Sequence, residues 1–371
     1  LGTLDPIFAD YNSTTPLCLD VLNAIQQWGG TVGNASSAHQ FGQYVSKIYD
    51  EATDAICSKL NAMPYELLTC SSATEANHWF FYSLLSDRLD MPRVIMSAIE
   101  HPCVSKVLTQ YSQRGVIDLQ ICRVMSNGVI DLDHFQSLLT PNTLLVSVIL
   151  ANNEIGTIQP LRELSRRAKR VGAWVHSDIV QAAGKLPVDL HALGIDAAVM
   201  SSHKCYAPVG CGVLLVNDVE LMKPVLVGGT QQQQLRAGTV NALGLHLFSI
   251  GLEYCSRSSH VNVHEWASQL CQSMCGLHVP VELNDNTQLW NTVPLAVDGY
   301  AAHDVMMRLD MNGVGVSTGS ACSTGAVETS PVIQALRLPD HVANSVIRLS
   351  FGYPTTPSQL DRIAVAFSSF Y

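Results

Sequence analysis

Charge is scarce in this chain: Asp, Glu, Lys and Arg make up 14% of its 371 residues, against 47% apolar residues. A chain so composed buries enough surface to offset its conformational entropy, which excludes disorder. The charges that are present sum to -10 and form no basic cluster. That argues against direct nucleic-acid binding, because phosphate contacts need local Lys and Arg. No apolar run reaches the ~20 residues that span a bilayer, and no basic n-region with a small-residue cleavage site opens the sequence. The chain therefore reads as soluble and cytoplasmic, with no membrane partner. Its 11 cysteines are odd in number and scattered, as befits reduced thiols rather than a disulfide framework. Cys271 and Cys275 lie one helical turn apart, but no second Cys or His pair stands nearby to complete a tetrahedral site, so no metal is expected. Repeats and low-complexity tracts are also lacking.

The length suggests about two domains. Seven β-rich apolar runs, Glu66-Cys70, Arg93-Ala98, Leu119-Met125, Thr143-Leu150, Ala173-Ser177, Ala197-Ser202 and Cys211-Val216, are mostly separated by helix-like stretches. The alternation predicts an α/β fold: a mainly parallel seven-stranded sheet with helices on both faces and a ligand site at the carboxyl ends of the strands. Polar residues gather just after the runs, as that site requires: Ser71-Ser72-Ala73-Thr74, Glu100-His101, Asn152-Asn153-Glu154, Asp178 with Gln181, and His203-Lys204. Upstream, Phe41, Tyr44, Val45, Ile48, Tyr49, Ala52, Ala55 and Ile56 recur at helical spacing and predict one apolar face. From about residue 257 the strands shorten (Val279-Leu283, Thr292-Ala296, Val346-Phe351). This predicts a smaller α+β domain of residues 1–14 and 257–371 beside a large domain of 15–256. Pro280 and Pro294 point to edge strands there. Thr356-Pro357-Ser358-Gln359 has the cap, first-turn proline and third-position Gln of a helix start.

Lys204 ends the apolar run Asp196-Ala-Ala-Val-Met-Ser-Ser-His-Lys204, which delivers an amine into a polar crevice. A lysine beside apolar walls loses its proton readily and attacks an aldehyde; the alternative is an ordinary surface lysine. Asp178 ends another strand, where a carboxylate keeps a ring nitrogen protonated or simply caps a helix. Thr74 stands where a strand gives way to a helix, a place for anion binding or for N-capping. His101 follows a strand, placed to stack on a ring and move protons or to serve as a satisfied loop histidine.

Together these segments resemble the fold-type I pyridoxal-phosphate enzymes of the class V aminotransferase group, and within it the NifS/IscS-type cysteine desulfurases. Ten short motifs in order carry the resemblance: Asp10-Tyr-Asn-Ser-Thr-Thr-Pro16, Asn34-Ala-Ser-Ser-Ala-His39, Ala73-Thr-Glu-Ala-Asn77, Glu100-His101, Asn152-Asn-Glu-Ile-Gly156, His176-Ser-Asp-Ile-Val-Gln181, Ser201-Ser-His-Lys204, Leu235-Arg-Ala-Gly-Thr239, Gly319-Ser-Ala-Cys322 and Ile347-Arg-Leu-Ser-Phe-Gly352. The resemblance implies that Lys204 holds pyridoxal 5'-phosphate and shuttles the substrate α-proton, with Asp178 on the ring nitrogen, Gln181 on the phenolic oxygen and His101 on the ring face. Ala73, Thr74, Ser201 and His203 would bind the phosphate, joined by Thr239 from the second subunit of a homodimer. Asn153 and Arg348 would fix the carboxylate of L-cysteine, for which a guanidinium fork suits two oxygens. Cys322, in the glycine- and serine-rich stretch Ser317-Thr-Gly-Ser-Ala-Cys-Ser-Thr-Gly-Ala326, would take the substrate sulfur as a persulfide and pass it to an acceptor protein.

Three features depart from the pattern. Gln231-Gln-Gln-Gln234 replaces a more charged segment, Cys205 and Cys211 flank the cofactor lysine, and the iron-sulfur-assembly members usually carry a longer C-terminal tail. A desulfurase dedicated to tRNA thiolation or DNA phosphorothioation is therefore an alternative to one serving iron-sulfur assembly. A selenocysteine or cystine lyase would make Cys322 less necessary, and a catalytically silent sulfur-transfer scaffold would need none of these residues.

Overall fold

The computed structural model describes residues 5–62, 66–257, 260–284, 286–318 and 329–370; Cys322 and its neighbours lie outside them. A two-residue strand, β1 (Ile7–Phe8), is followed by the helices α1 (Leu19–Trp28) and α2 (Gln40–Lys59). Then comes the alternation: β2 (Glu66–Cys70), α3 (Ala73–Leu85), β3 (Arg93–Ser97), α4 (Pro102–Gln113), β4 (Asp118–Cys122), β5 (Thr143–Ser147), β6 (Trp174–Asp178), β7 (Ala197–Ser201) and β8 (Gly212–Val216). The seven strands from β2 to β8 form one sheet in the order β2-β8-β7-β6-β5-β3-β4. All pairings are parallel except those of β8, which runs antiparallel to both β7 and β2. Only about ten residues separate β7 from β8, too few for a parallel crossover, so the chain turns straight back.

Each strand feeds two apolar layers because its side chains alternate. Val146, Ala198 and Met200 face one layer with Ile56 and Phe248, whereas Leu145, Ala197 and Val199 face the other with Trp79, Phe80 and Leu108. Strands β7 and β8 are buried at every position, as expected of strands covered on both faces. In α2, Val45, Ala52 and Ile56 are buried as the spacing predicts, but Phe41 and Tyr44 remain 66% and 58% exposed in the single chain. The apolar stripe is thus wider than the surface the fold beneath it covers.

A second core holds β9 (Leu277–His278), β10 (Thr292–Val297), β11 (Val314–Gly315) and β12 (Val346–Ser350), with Val293, Leu295, Ile347, Leu349 and Phe367 among its buried members. Two sequence expectations fail here. Residues 279–283 form no strand; pairing stops at His278. Strand β10 is the middle strand of three, in spite of Pro294. The reason is local: β9 reaches only Ala296 and Val297, so at Pro294 the only neighbour is Arg348 of β12, and no ladder bond is forfeited on the other side. The N-terminal strand β1 pairs with β11, and Asp10 bridges to Ser350. That threading brings Asn12 to the wall of the cavity described below and Asp10 against Arg348.

The C-terminal helix Pro357–Phe367 starts with the capping box the sequence predicts: Thr356 Oγ1 accepts from Gln359 N at 3.3 Å and Gln359 Oε1 accepts from Thr356 N at 2.9 Å. Thr356→Ala is expected to cost about 1 kcal/mol of stability, read as a lower denaturant midpoint at constant slope. An unchanged midpoint would show that the box contributes nothing in this context.

Candidate active site

At the carboxyl ends of the strands lies a cavity of 230 Å³. It sits where the strand order reverses around β3, the position at which open α/β sheets bind ligands. Each wall is a strand end. Asp178 is the last residue of β6, His101 caps α4 after β3, Asn153 follows β5, Ser201 closes β7, and Ala73 and Thr74 open α3; all line the cavity with Gln181, His203 and Lys204.

Lys204 sits in the single 3-10 turn Ser202–Lys204, and its Nζ donates to the backbone carbonyls of Asn12 and Ser13. Burial, helped by the Arg348 guanidinium, brings its pKa down to about 8, while Asp10 and Asp178 pull the other way. Asp178 is 3% exposed. Its Oδ1 accepts from Val180 N at 3.0 Å and its Oδ2 from Asn77 Nδ2 at 3.3 Å, so it caps no helix. Burial raises its pKa; the Val180 amide, His101, Asn77 and Lys204 counter that rise. Such a carboxylate gains most from a cationic N–H placed against it.

His101 Nδ1 accepts from Cys103 N at 3.2 Å and also meets Cys103 Sγ at 2.9 Å. The neutral ring therefore carries its hydrogen on Nε2, and burial lowers its pKa. Glu100 locks this corner: its Oε1 accepts from Ser97 Oγ at 2.6 Å and from Ile149 N at 2.7 Å, tying the end of β3 to the loop after β5. Burial pushes Glu100 up to about 8, which favours its uncharged form. His203, brought down to about 4 by burial and then by Lys204, is uncharged at neutral pH and contacts Thr14 Oγ1 at 3.2 Å.

Thr74 is the second residue of α3, whose cap is Ser72, with Ser72 Oγ accepting from Glu75 N at 3.2 Å. The first amides of a helix have no intrahelical acceptor, so the start of α3, with the Thr74, Ser201 and His203 side chains in the same lining, suits an anion at that end of the cavity. Arg348 is 5% exposed; its Nη1 donates to Asn153 O at 2.9 Å and its Nη2 pairs with Asp10. Arg348 Nε is buried with no hydrogen-bond partner among the described residues, and Arg348 is not among the residues that line the cavity. Thr239 is exposed and away from the cavity of its own chain.

Sequence reasoning gave no role to Asn12, which ties the site together. Its carbonyl accepts from Gln181 Nε2 at 2.9 Å and from Lys204, its Oδ1 from Lys185 Nζ at 3.0 Å, and its Nδ2 donates to Asn153 O at 2.9 Å. Its partners lie far away in sequence, so no spacing rule could have found it. Among the described residues no His, Cys, Asp and Glu group could hold a metal ion, and no helix is long and apolar enough to cross a membrane.

The aminotransferase class-V profile matches residues 7–363. The chain therefore belongs to the class-V aminotransferase family. Within it, a cysteine desulfurase from Nostoc sp. is 33% identical over 96% of this chain and 90% of its own length. A solved NifS-like protein superposes with a TM-score of 0.89 at 27% identity, covering 99% of this chain and 100% of that one. The structure of SspA in complex with cysteine superposes with a TM-score of 0.82 at 25% identity, over 94% of this chain and 100% of that one.

Proposed function

We propose that this protein is a pyridoxal-phosphate-dependent cysteine desulfurase that converts L-cysteine to L-alanine and passes the sulfur through Cys322 to an acceptor protein. One observation carries the reading: an amine, a buried carboxylate, an imidazole and an anion-binding helix start all converge on a single cavity. The donor set fits the cofactor group by group. The α3 start with Thr74, Ser201 and His203 suits its phosphate, Asp178 its ring nitrogen, His101 its ring face, Gln181 its phenolic oxygen and Lys204 its aldehyde. When bound, the cofactor supplies an electron sink that acidifies the substrate α-carbon and weakens its carbon-sulfur bond.

The remaining work falls to the protein. Arg348 and Asn153 hold the substrate carboxylate. Lys204 Nζ, whose pKa burial brings down to about 8, takes the α-proton in its deprotonated form and returns one to the product. Cys322 thiolate attacks the substrate sulfur; a sulfur-sulfur bond forms, the carbon-sulfur bond breaks, and the carbon is protonated to give alanine. No external oxidant or reductant enters this balance. A second subunit that covers Phe41 and Tyr44 and brings its Thr239 to the phosphate end completes the site. The desulfurase relatives and the cysteine complex of SspA support cysteine as the substrate.

The test is incubation of the purified protein with L-cysteine in the absence of a reducing agent, followed by mass spectrometry of the Cys322 peptide and assay of alanine. The expected result is one added sulfur on Cys322 with an equal amount of alanine. Alanine without any modified cysteine would sink the persulfide route.

A further inference from the structure

Lys185 is half-buried overall with its ammonium end enclosed, and it forms no ion pair among the described residues. Of the charges that act on it, Lys204 and Arg348 oppose its protonation, whereas the Cys205 and Cys255 thiols favour it. An ammonium placed there is costly, since it is desolvated and repelled at once. Burial and then Lys204 bring its pKa down to about 7. Its hydrogen bonds show what it holds. Lys185 Nζ donates to Gln181 Oε1, four residues earlier, and to Asn12 Oδ1 at 3.0 Å.

An ammonium can only donate, so when Lys185 is protonated Gln181 must present its oxygen to it and its Nε2 to the other side. That Nε2 now donates to Asn12 O at 2.9 Å, and Gln181 lines the cavity. Asn12 is fixed in turn by Asn291 Nδ2 at 3.0 Å on its Oδ1 and by Thr292 Oγ1 at 2.8 Å on its Nδ2. The pair is therefore held from behind as well as in front. Without Lys185 the Gln181 amide keeps one of its two anchors, the Asn12 carbonyl that accepts from Nε2, and loses the donor that fixes its oxygen.

We infer that Lys185 is a positioning residue that fixes the Gln181 amide with its donor toward the cavity, where it meets the anionic ring oxygen of the cofactor. The inference rests on the cofactor reading above. The charge of Lys185 on the amide oxygen also polarises the Nε2–H bond and strengthens the donor. A donor held on that oxygen by Gln181 would stabilise its anionic form, so the loaded protein would titrate at lower pH with the donor than without it.

The test is a pH titration of the visible absorbance of the loaded protein, compared among wild type, Lys185→Met, Lys185→Arg and Gln181→Leu. Lys185→Met is expected to raise the titration midpoint by about one pH unit, the scale of one weakened hydrogen bond to a charged group. Lys185→Arg, which retains donors toward the same oxygens, is expected to restore most of the shift. In the Gln181→Leu background Lys185→Met is expected to move the midpoint no further, because the two act as one unit. An unchanged midpoint in loaded Lys185→Met, or an additive shift in the double variant, overturns the inference. If Lys185→Met fails to fold, Lys185→Arg against Gln181→Leu still decides it: equal midpoints in those two overturn it. A wild-type protein that takes up no cofactor, read as no visible band at any pH, overturns the cofactor reading itself, and this inference with it.

Discussion

Lys204→Ala is expected to lower L-cysteine turnover by at least about 10⁴-fold, the upper range for loss of a positioned acid-base group, because the proposed mechanism uses Lys204 as both anchor and proton shuttle. Lys204→Arg is expected to be equally inactive. It keeps the charge but not a nitrogen that gives up its proton, since guanidinium stays protonated above about pH 12. The two substitutions together separate charge from basicity: if Lys204→Arg retained activity, electrostatics alone would suffice. The environment of Lys204 adds a pH signature. The amine attacks only when deprotonated, and burial beside Arg348 brings its pKa down to about 8 from an ordinary value near about 10.4. Capture of pyridoxal phosphate by cofactor-free protein should therefore accelerate as pH rises through about 8 and level off above it. Stopped-flow absorbance checks this; a rate still climbing steeply at pH 10 would place the amine in a water-like setting.

Most of the large sheet was legible in the sequence, because strands buried on both faces read as continuous apolar runs and each run ended in the polar residues that line the site. The ends of β3, β5, β6 and β7 supplied His101, Asn153, Asp178 and Lys204 in this way. The antiparallel course of β8 was missed because the strand pattern itself is silent on orientation; the signal lay in the short connection before it, which leaves no room for a parallel crossover. In the second core the reading was weaker. The proline rule placed Pro294 at an edge, whereas the short reach of β9 let it stand in a middle strand. The contributions of Asn12, Asp10 and Lys185 escaped sequence reasoning for a different reason. Asn12 joins Gln181 and Lys204, 169 and 192 residues away, and Asp10 joins Arg348, 338 residues away. Such contacts follow from the pairing of β1 with β11 and of Asp10 with Ser350, which no local pattern announces. Lys185 stands in an apolar-flanked segment where an isolated lysine looks like surface, and only its two amide partners reveal its place.

Cys322→Ala is expected to leave cofactor uptake and the visible spectrum unchanged while reducing sulfide and alanine formation from L-cysteine by at least about 10³-fold, the order expected when a nucleophile is removed. The split follows from where the groups lie. Every described group that the proposal assigns to the cofactor in this chain is on the walls of the cavity, and the proposed mechanism calls on Cys322 only when sulfur leaves carbon. Lys204→Ala should therefore alter the spectrum and the chemistry together, whereas Cys322→Ala alters the chemistry alone. The same variant discriminates among substrates. A carbon-selenium bond is weaker and its leaving group more stable as an anion, so selenocysteine can release selenium without a protein thiol; cystine already carries its sulfur acceptor within the molecule. If Cys322→Ala kept full activity on L-cysteine, the persulfide step would fall. If it lost cysteine activity but kept turnover of selenocysteine or cystine, the cavity would be competent for all three, and Cys322 would be what makes cysteine a usable sulfur donor.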